Sequence, residues 1–223
     1  MEGCAQSDYV GRHTYYVGRH TDLQMIFSRM AKDLDSKGKT LAAAADLFRR
    51  QGYFGTALQD ILAAAGSPRG SLYFHFPDGK EQIGEAALKL AGDANARAIA
   101  QAAAASESAE AFVLRLIRGM AAHLEKSGFR DGCPIATTAL ETAVHSEALR
   151  GAARDAFQKW EGEIRRHLER FGINPEDSDP IATAVLSQLE GALLLARTYR
   201  SLEPMRRAER ALKLLLRPRH SKE

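Results

Sequence analysis

From Ser36 onward, apolar positions recur with the period of a helix. Leu41, Ala44, Ala45 and Phe48 follow one another at steps of three and four, which places them on one helical face. The stretch "QGYFGT" then supplies a glycine stop and, in Thr56, an expected N-cap for the next helix. There Leu58, Ile61, Leu62 and Ala65 share a face until Gly66 breaks it. A third short helix is expected near Pro68, with Pro77 to Gly79 ending it. Longer periodic stretches cover about 80–104, 107–127, 134–146, 148–171, 179–200 and 204–217, separated by Gly128, Gly132, Gly172, Pro175 and Pro204. Alanine runs at 41–45 and 101–105, with few β-branched residues, agree with an all-α chain.

The first 35 residues carry neither a helical nor a strand period, and an irregular or disordered extension is expected there. They contain "YVGRHT" at 9–14 and again at 16–21, a seven-residue repeat. Its coding DNA would repeat every 21 bases, about two turns of duplex. One expectation is that this segment is translated upstream DNA, with the natural start at Met25 or Met30 and the repeat belonging to an operator.

Charge and cysteine content narrow the class. A formal charge of +3 and an isoelectric point near 8.9 permit nucleic-acid binding without requiring it. Cys4 and Cys133 are too few for a disulfide framework or a zinc site, so no metal and no cofactor is expected. With no apolar run of spanning length and no hydrophobic signal core in 1–30, a cytoplasmic protein with no membrane partner is expected. Residues 218–223 read as a short tail.

Two short helices joined at Gly66, the second entered through Ser67 and Pro68, make a helix-turn-helix pattern. The second helix of such a unit lies in the DNA major groove. "RGSLYFHFPDGKE" at 69–81 fits that task. Leu72 points inward, leaving Arg69, Ser71, Tyr73 and His75 outward or flanking. Arginine can read guanine through two hydrogen bonds, and the others can reach phosphates or base edges. Phe74 and Phe76 are expected in the core. Lys80 sits in the first turn of a helix, where the dipole disfavours a cation, and a bound phosphate would resolve the conflict. Thr56 offers the same at the preceding helix start. With Ser67 and Gly70, the DNA-binding set is Thr56, Ser67, Arg69, Gly70, Ser71, Tyr73, His75 and Lys80.

Residues 40–83 resemble the N-terminal domain of TetR-family transcriptional repressors. The carrying residues are the Gly52-Tyr53-x-Gly55-Thr56 junction, Asp60-Ile61, Ala65-Gly66, the Gly70-x-Leu72-Tyr73-x-His75-Phe76 helix and Lys80-Glu81. Leu62 stands where alanine is usual and Ser67 where valine is usual. "PDGKEQ" has one residue more than the common spacing, and together with "DGCPIATTALE" at 131–141 it resembles the LmrA/YxaF-like branch. The resemblance implies a helix-turn-helix DNA-binding domain at 36–83 and a helical effector-binding and dimerisation domain at 84–217. It further implies a homodimeric repressor on a palindromic or pseudo-palindromic operator, released by a small-molecule effector.

Two stripes could form the dimer: Ile181, Val185, Leu189, Ala192 and Ala196, then Met205, Ala208, Leu212 and Leu215. The same periodicity would serve an internal core equally well. Effector-pocket candidates are Phe112, Leu116, Met120, His123, Ile135, Leu140, Phe157 and Trp160, which as a set suit an aromatic or lipophilic molecule. Glu141 could pair with a cationic one. Cys133, preceding Pro134 at a helix start, offers an alternative as a redox or electrophile sensor with a lowered pKa. No nucleophile–base motif, phosphate loop or metal spacing points to an enzyme.

Overall fold

The computed structural model describes residues 36–68, 70 and 74–217. The expected N-terminal extension, the C-terminal tail and residues Arg69, Ser71, Leu72 and Tyr73 lie outside the described residues. Every regular element among those described is a helix. They are α1 (Ser36–Gln51), α2 (Leu58–Ala65), α3 (Lys80–Ala104), α4 (Ala109–Lys126), α5 (Pro134–Thr142), α6 (Glu147–Arg170), α7 (Pro175–Tyr199) and α8 (Glu203–Leu215). Gly70, Phe74 and His75, in the third short stretch, are also helical.

Local chemistry sets the boundaries. Ser108 and Ser146 cap α4 and α6 by accepting from the amides of Ala111 and Leu149, each at 3.1 Å. α5 stops at Thr142, short of the expected 146, because the amides of His145 and Ser146 both turn back onto the Thr142 carbonyl at 2.9 Å. α7 starts at Pro175 and not at 179. Proline at the first helical position lacks only an N–H that would have had no helical partner. Pro180 then sits in the second turn, where its missing N–H leaves the carbonyl of Glu176, an exposed residue, without the usual helical donor.

α3 and α6 share the broadest packing surface, and α1 lies against α2, α3 and α5. The α3–α6 approach needs Gly92, since a Cβ there would lie 2.9 Å from that of Ala156. The Trp160 indole donates to the Gly92 carbonyl at 2.8 Å, locking the crossing. α7 packs against α6 and α8, and α8 against α4, which closes the larger bundle.

Candidate nucleic-acid interface

The α2 corner is built as a helix-turn-helix unit requires. Gly66 adopts φ +62°, while its amide and that of Ser67 bond back to Ala63 and Leu62 at 3.3 and 3.1 Å. Ile61 is fully buried beneath the corner, and Leu62, larger than the usual alanine, is buried too. Ser67 Oγ lies 3.3 Å from Thr40 Oγ1, tying the entry of the third stretch to α1. Gly70 is exposed and His75 half-buried. Phe76 is buried with Lys37 over its ring, but Phe74 is 83% exposed, so the expectation of two core aromatics holds for one only.

Thr56 requires a correction. The N-cap of α2 is Ala57, whose amide donates to Asp60 Oδ2 at 3.0 Å. The Thr56 hydroxyl is buried and donates to the Gly52 carbonyl at 2.6 Å, while its amide bonds to Tyr53. Neither group is available to an outside anion. Lys80 places its ammonium 4.1 Å from the centre of the Tyr53 ring. Partial burial lowers its pKa, and the charge of Glu141 opposes that shift.

Two polar contacts fasten the end of α1 and the turn before α2 to the larger bundle, one at each end of α5. At the first, Asp131 is 1% exposed and pairs with Arg50 at 2.8 Å, Arg49 at 3.2 Å and His123 Nε2 at 3.0 Å. Burial alone would raise the Asp131 carboxyl. Hydrogen bonds from His123 and Arg50, with the charges of Arg49 and Arg50, outweigh it and hold the group well below the usual carboxylate range. The last carbonyls of α1 are capped from outside: Gly132 N–H donates to Arg49 at 2.9 Å and the Arg197 guanidinium of α7 to Arg50 at 2.6 Å. At the second contact, Glu141 Oε2 accepts the Phe54 amide at 2.8 Å. Its carboxylate occupies the space a side chain at Gly52 would fill, and Gly52 has φ +82°. Ser146 also donates to Glu81 on α3 at 2.5 Å.

The two expected dimer stripes are turned inward. Val185, Leu189, Ala192 and Ala196, with Met205, Ala208 and Leu212, are buried within the chain itself, and Ile181 is half-buried. Of that set only Leu215 is exposed. α7 instead shows solvent a different stripe, Ala184, Ser187, Gln188, Gly191, Leu194, Leu195 and Thr198, with Leu194 56% and Leu195 45% exposed. No charged residue is exposed on α7 between Thr183 and Tyr199.

The effector candidates separate. Phe112, Ile135 and Trp160 are buried, while Leu116, Met120 and Phe157 pack half-buried against the same core. His123 belongs to the Asp131 cluster, and Leu140 is 80% exposed and lines no interior space. Surface clefts of about 700 and 410 Å³ open beside Arg50 and between α3 and α6, and none of the eight lines either. His167, which periodicity did not single out, is more informative. Both its ring nitrogens are buried without a hydrogen-bond partner, it lies edge-on to Phe112 at 5.7 Å, and burial lowers its pKa.

Cys133 is not an activated thiol. It caps α5 by accepting the Ala136 amide at 3.4 Å, and burial, together with the nearby charge of Glu190, pushes its pKa up. Glu190 in turn is raised by burial to about 7, with the hydrogen bond from Cys133 opposing. Among the described residues no group of three or more His, Cys, Asp or Glu side chains is placed to hold a metal, and no helix is long and apolar enough to cross a membrane.

Known proteins share both halves of this arrangement. Residues 41–87 match the bacterial regulatory proteins of the tetR family, and residues 108–211 match the transcriptional regulator LmrA/YxaF-like C-terminal domain. The HTH-type transcriptional regulator LmrA of Bacillus subtilis is 32% identical over 77% of this chain and 91% of its own length. The uncharacterized HTH-type transcriptional regulator YxaF of the same organism is 32% identical over 77% and 90%. A crystal structure of a TetR transcriptional regulator from Chloroflexus aurantiacus superposes with a TM-score of 0.68 at 31% identity, covering 80% of this chain and 92% of that one. With a helix-turn-helix corner at one end and an LmrA/YxaF-like helical domain at the other, the chain belongs to the TetR family of transcriptional regulators.

Proposed function

We propose that the protein is a homodimeric, non-enzymatic repressor of the cytoplasm that leaves its operator when a small aromatic or lipophilic effector binds. The observation that carries this reading is the fastening of the end of α1 and the turn before α2 to both ends of α5 through Asp131 and Glu141. A displacement of α5 by a ligand in the bundle is passed to α1 and to the turn at Gly52–Phe54. α3, entered at Lys80, is the covalent lever beside it. Effector affinity that differs between two dimer geometries then lowers DNA affinity by the same factor.

The reading head comprises Ser67, Arg69, Gly70, Ser71, Tyr73, His75 and Lys80, with Arg69 assigned to a base edge and Lys80 to a phosphate. The second subunit sits on the uncharged α7 stripe. Gly191 supports that choice, because a Cβ there would meet nothing within the chain, so its small size serves no internal contact. Leu214 and Leu215 of α8 extend the exposed apolar surface. The wall formed by Phe112, Phe171 and His167 is the proposed seat for an aromatic effector with one polar group, the imidazole meeting that group.

Fluorescence anisotropy tests the reading, with fragments selected from the genome by the full-length protein and two salt concentrations. Sequence-preferring, salt-sensitive binding that Arg69→Ala weakens by about 10-fold or more is expected. Uniform weak binding to every fragment would refute it.

A further inference from the structure

The repeated hexapeptide at 9–14 and 16–21 is unused by the reading above, and its meaning lies in the DNA that encodes it. Tyr-Val-Gly-Arg-His-Thr is written TAY GTN GGN CGN CAY ACN, where Y is a pyrimidine, N is any base and arginine uses its four-codon set. Consider the sixteen bases from the first T of the tyrosine codon to the A of the threonine codon, paired about their centre. Two pairs are fixed by the code and a third by the four-codon arginine set, and all three are complementary. The tyrosine T faces the threonine A, the valine G faces the histidine C, and the first glycine G faces the arginine C. In each of the other five pairs, one fixed base faces a degenerate position that can complement it. TATGTCGGCCGACATA encodes the peptide in frame and is identical to its own reverse complement. The symmetry also ends at the same place in both copies. The preceding base is the pyrimidine that ends the codon of Asp8 or Tyr15, and it cannot pair with the C of the threonine codon.

We propose that the DNA encoding residues 9–21 carries two copies of this protein's own operator, so that the protein regulates the gene that encodes it. The proposal rests on the homodimeric DNA-binding reading, since a two-fold protein reads a two-fold site. Each block spans about one and a half turns, room for two recognition helices one turn apart on one face of the duplex. The copies begin seven codons apart, about two turns, so two dimers would bind on the same side. A repeat selected for the peptide alone would place no demand on the degenerate positions, whereas an operator requires them to be symmetric.

The natural codons give the first result, and the symmetric choice at the degenerate positions is expected in both copies. Asymmetric codons in both copies would overturn the proposal. Anisotropy with the full-length protein then compares the natural duplex with one recoded synonymously at the valine, glycine and arginine third positions. The peptide stays identical while three of the symmetric pairs break. The natural duplex is expected to bind at least 100-fold more tightly than a scrambled one, and each broken pair to cost about 10-fold. Inserting five base pairs between the copies turns the second dimer to the opposite face and is expected to abolish cooperativity while leaving single-site affinity unchanged. Equal binding to natural and recoded duplexes, alongside tight binding to fragments from elsewhere in the genome, would overturn the operator assignment and leave the regulator reading intact. Absence of selective binding to any genomic fragment would overturn both.

Discussion

α7 presents two surfaces of opposite chemistry. Near its C-terminus, Arg197 reaches the carbonyl of Arg50 beside the Asp131 cluster, where Arg49 and Arg50 of α1 and His123 of α4 converge on the buried carboxylate of the loop before α5. Along the neighbouring stripe, from Ala184 to Thr198, the exposed side chains are small, apolar or uncharged, and at its C-terminal end Leu194 and Thr198 share a surface cleft with Arg197. Apolar burial is non-directional and grows with area, which suits a permanent partner. A charge cluster is directional and weakens sharply once its geometry is lost, which suits a joint with two positions. The difference supports the proposed division of α7 into a stripe for assembly and a charged end for signalling.

The largest expected effect comes from breaking the apolar face. Leu194→Glu puts a charge where a partner is proposed, and the expected outcome is a monomer by light scattering, with unchanged helical content and operator affinity reduced about 100-fold or more. A variant that stays dimeric would place the interface elsewhere.

The charged joint comes next. Asp131→Asn removes the buried carboxylate shared by Arg49, Arg50 and His123, leaving the two arginines paired with Asp46 alone, and is expected to cost about 2–4 kcal/mol, read from urea unfolding. The sign with pH is fixed by the depressed carboxyl. Its stabilisation is complete above the unfolded carboxylate pKa, near 4, and is lost as pH falls toward the lower folded value. The gap between wild type and variant should therefore be full at pH 7 and narrow below about pH 4.

Glu190 behaves in the opposite sense. Its folded pKa is raised to about 7, so the folded state holds an extra proton and stability falls as pH rises from the ordinary glutamate value to about 7. Glu190→Gln is expected to stabilise the protein by about 1–3 kcal/mol at pH 8 and by little near pH 4. Melting temperatures at the two pH values check this. The smallest effect on stability, about 0.5–1.5 kcal/mol, is expected for Glu141→Gln, which weakens a single hydrogen bond to the Phe54 amide. Its signature is functional, a reduced loss of DNA affinity when effector is added, measured by anisotropy.

Helix count and type were legible because apolar periodicity repeats over many residues, as in Leu41, Ala44, Ala45 and Phe48. Which of two faces meets a partner was not. On α7 the strongest stripe, Val185 to Ala196, is buried in the chain itself, while the stripe proposed to meet a partner is marked only by the absence of charge and by Gly191. Thr56 misled because a threonine before a helix fits an N-cap equally well whether its hydroxyl faces the helix or the preceding turn. The joint was hidden for a further reason. Asp131 and Arg50 are 81 positions apart, Glu141 and Phe54 are 87 apart, and no local pattern records such pairings. "DGCPIATTALE" contained both acids, but as a family signature and not as a contact.

Gly52 carries an evolutionary consequence. A side chain there would need both the positive φ and the space now filled by Glu141. Changes at the two positions are therefore coupled: a residue that tolerates the left-handed backbone, such as asparagine, can enter at 52 if 141 has shortened or if the Glu141 carboxylate swings aside and gives up the Phe54 amide. Changing 52 first passes through an intermediate that has lost the Glu141–Phe54 hydrogen bond. The pair is expected to drift together among descendants of this chain, as a case of sign epistasis spanning two domains.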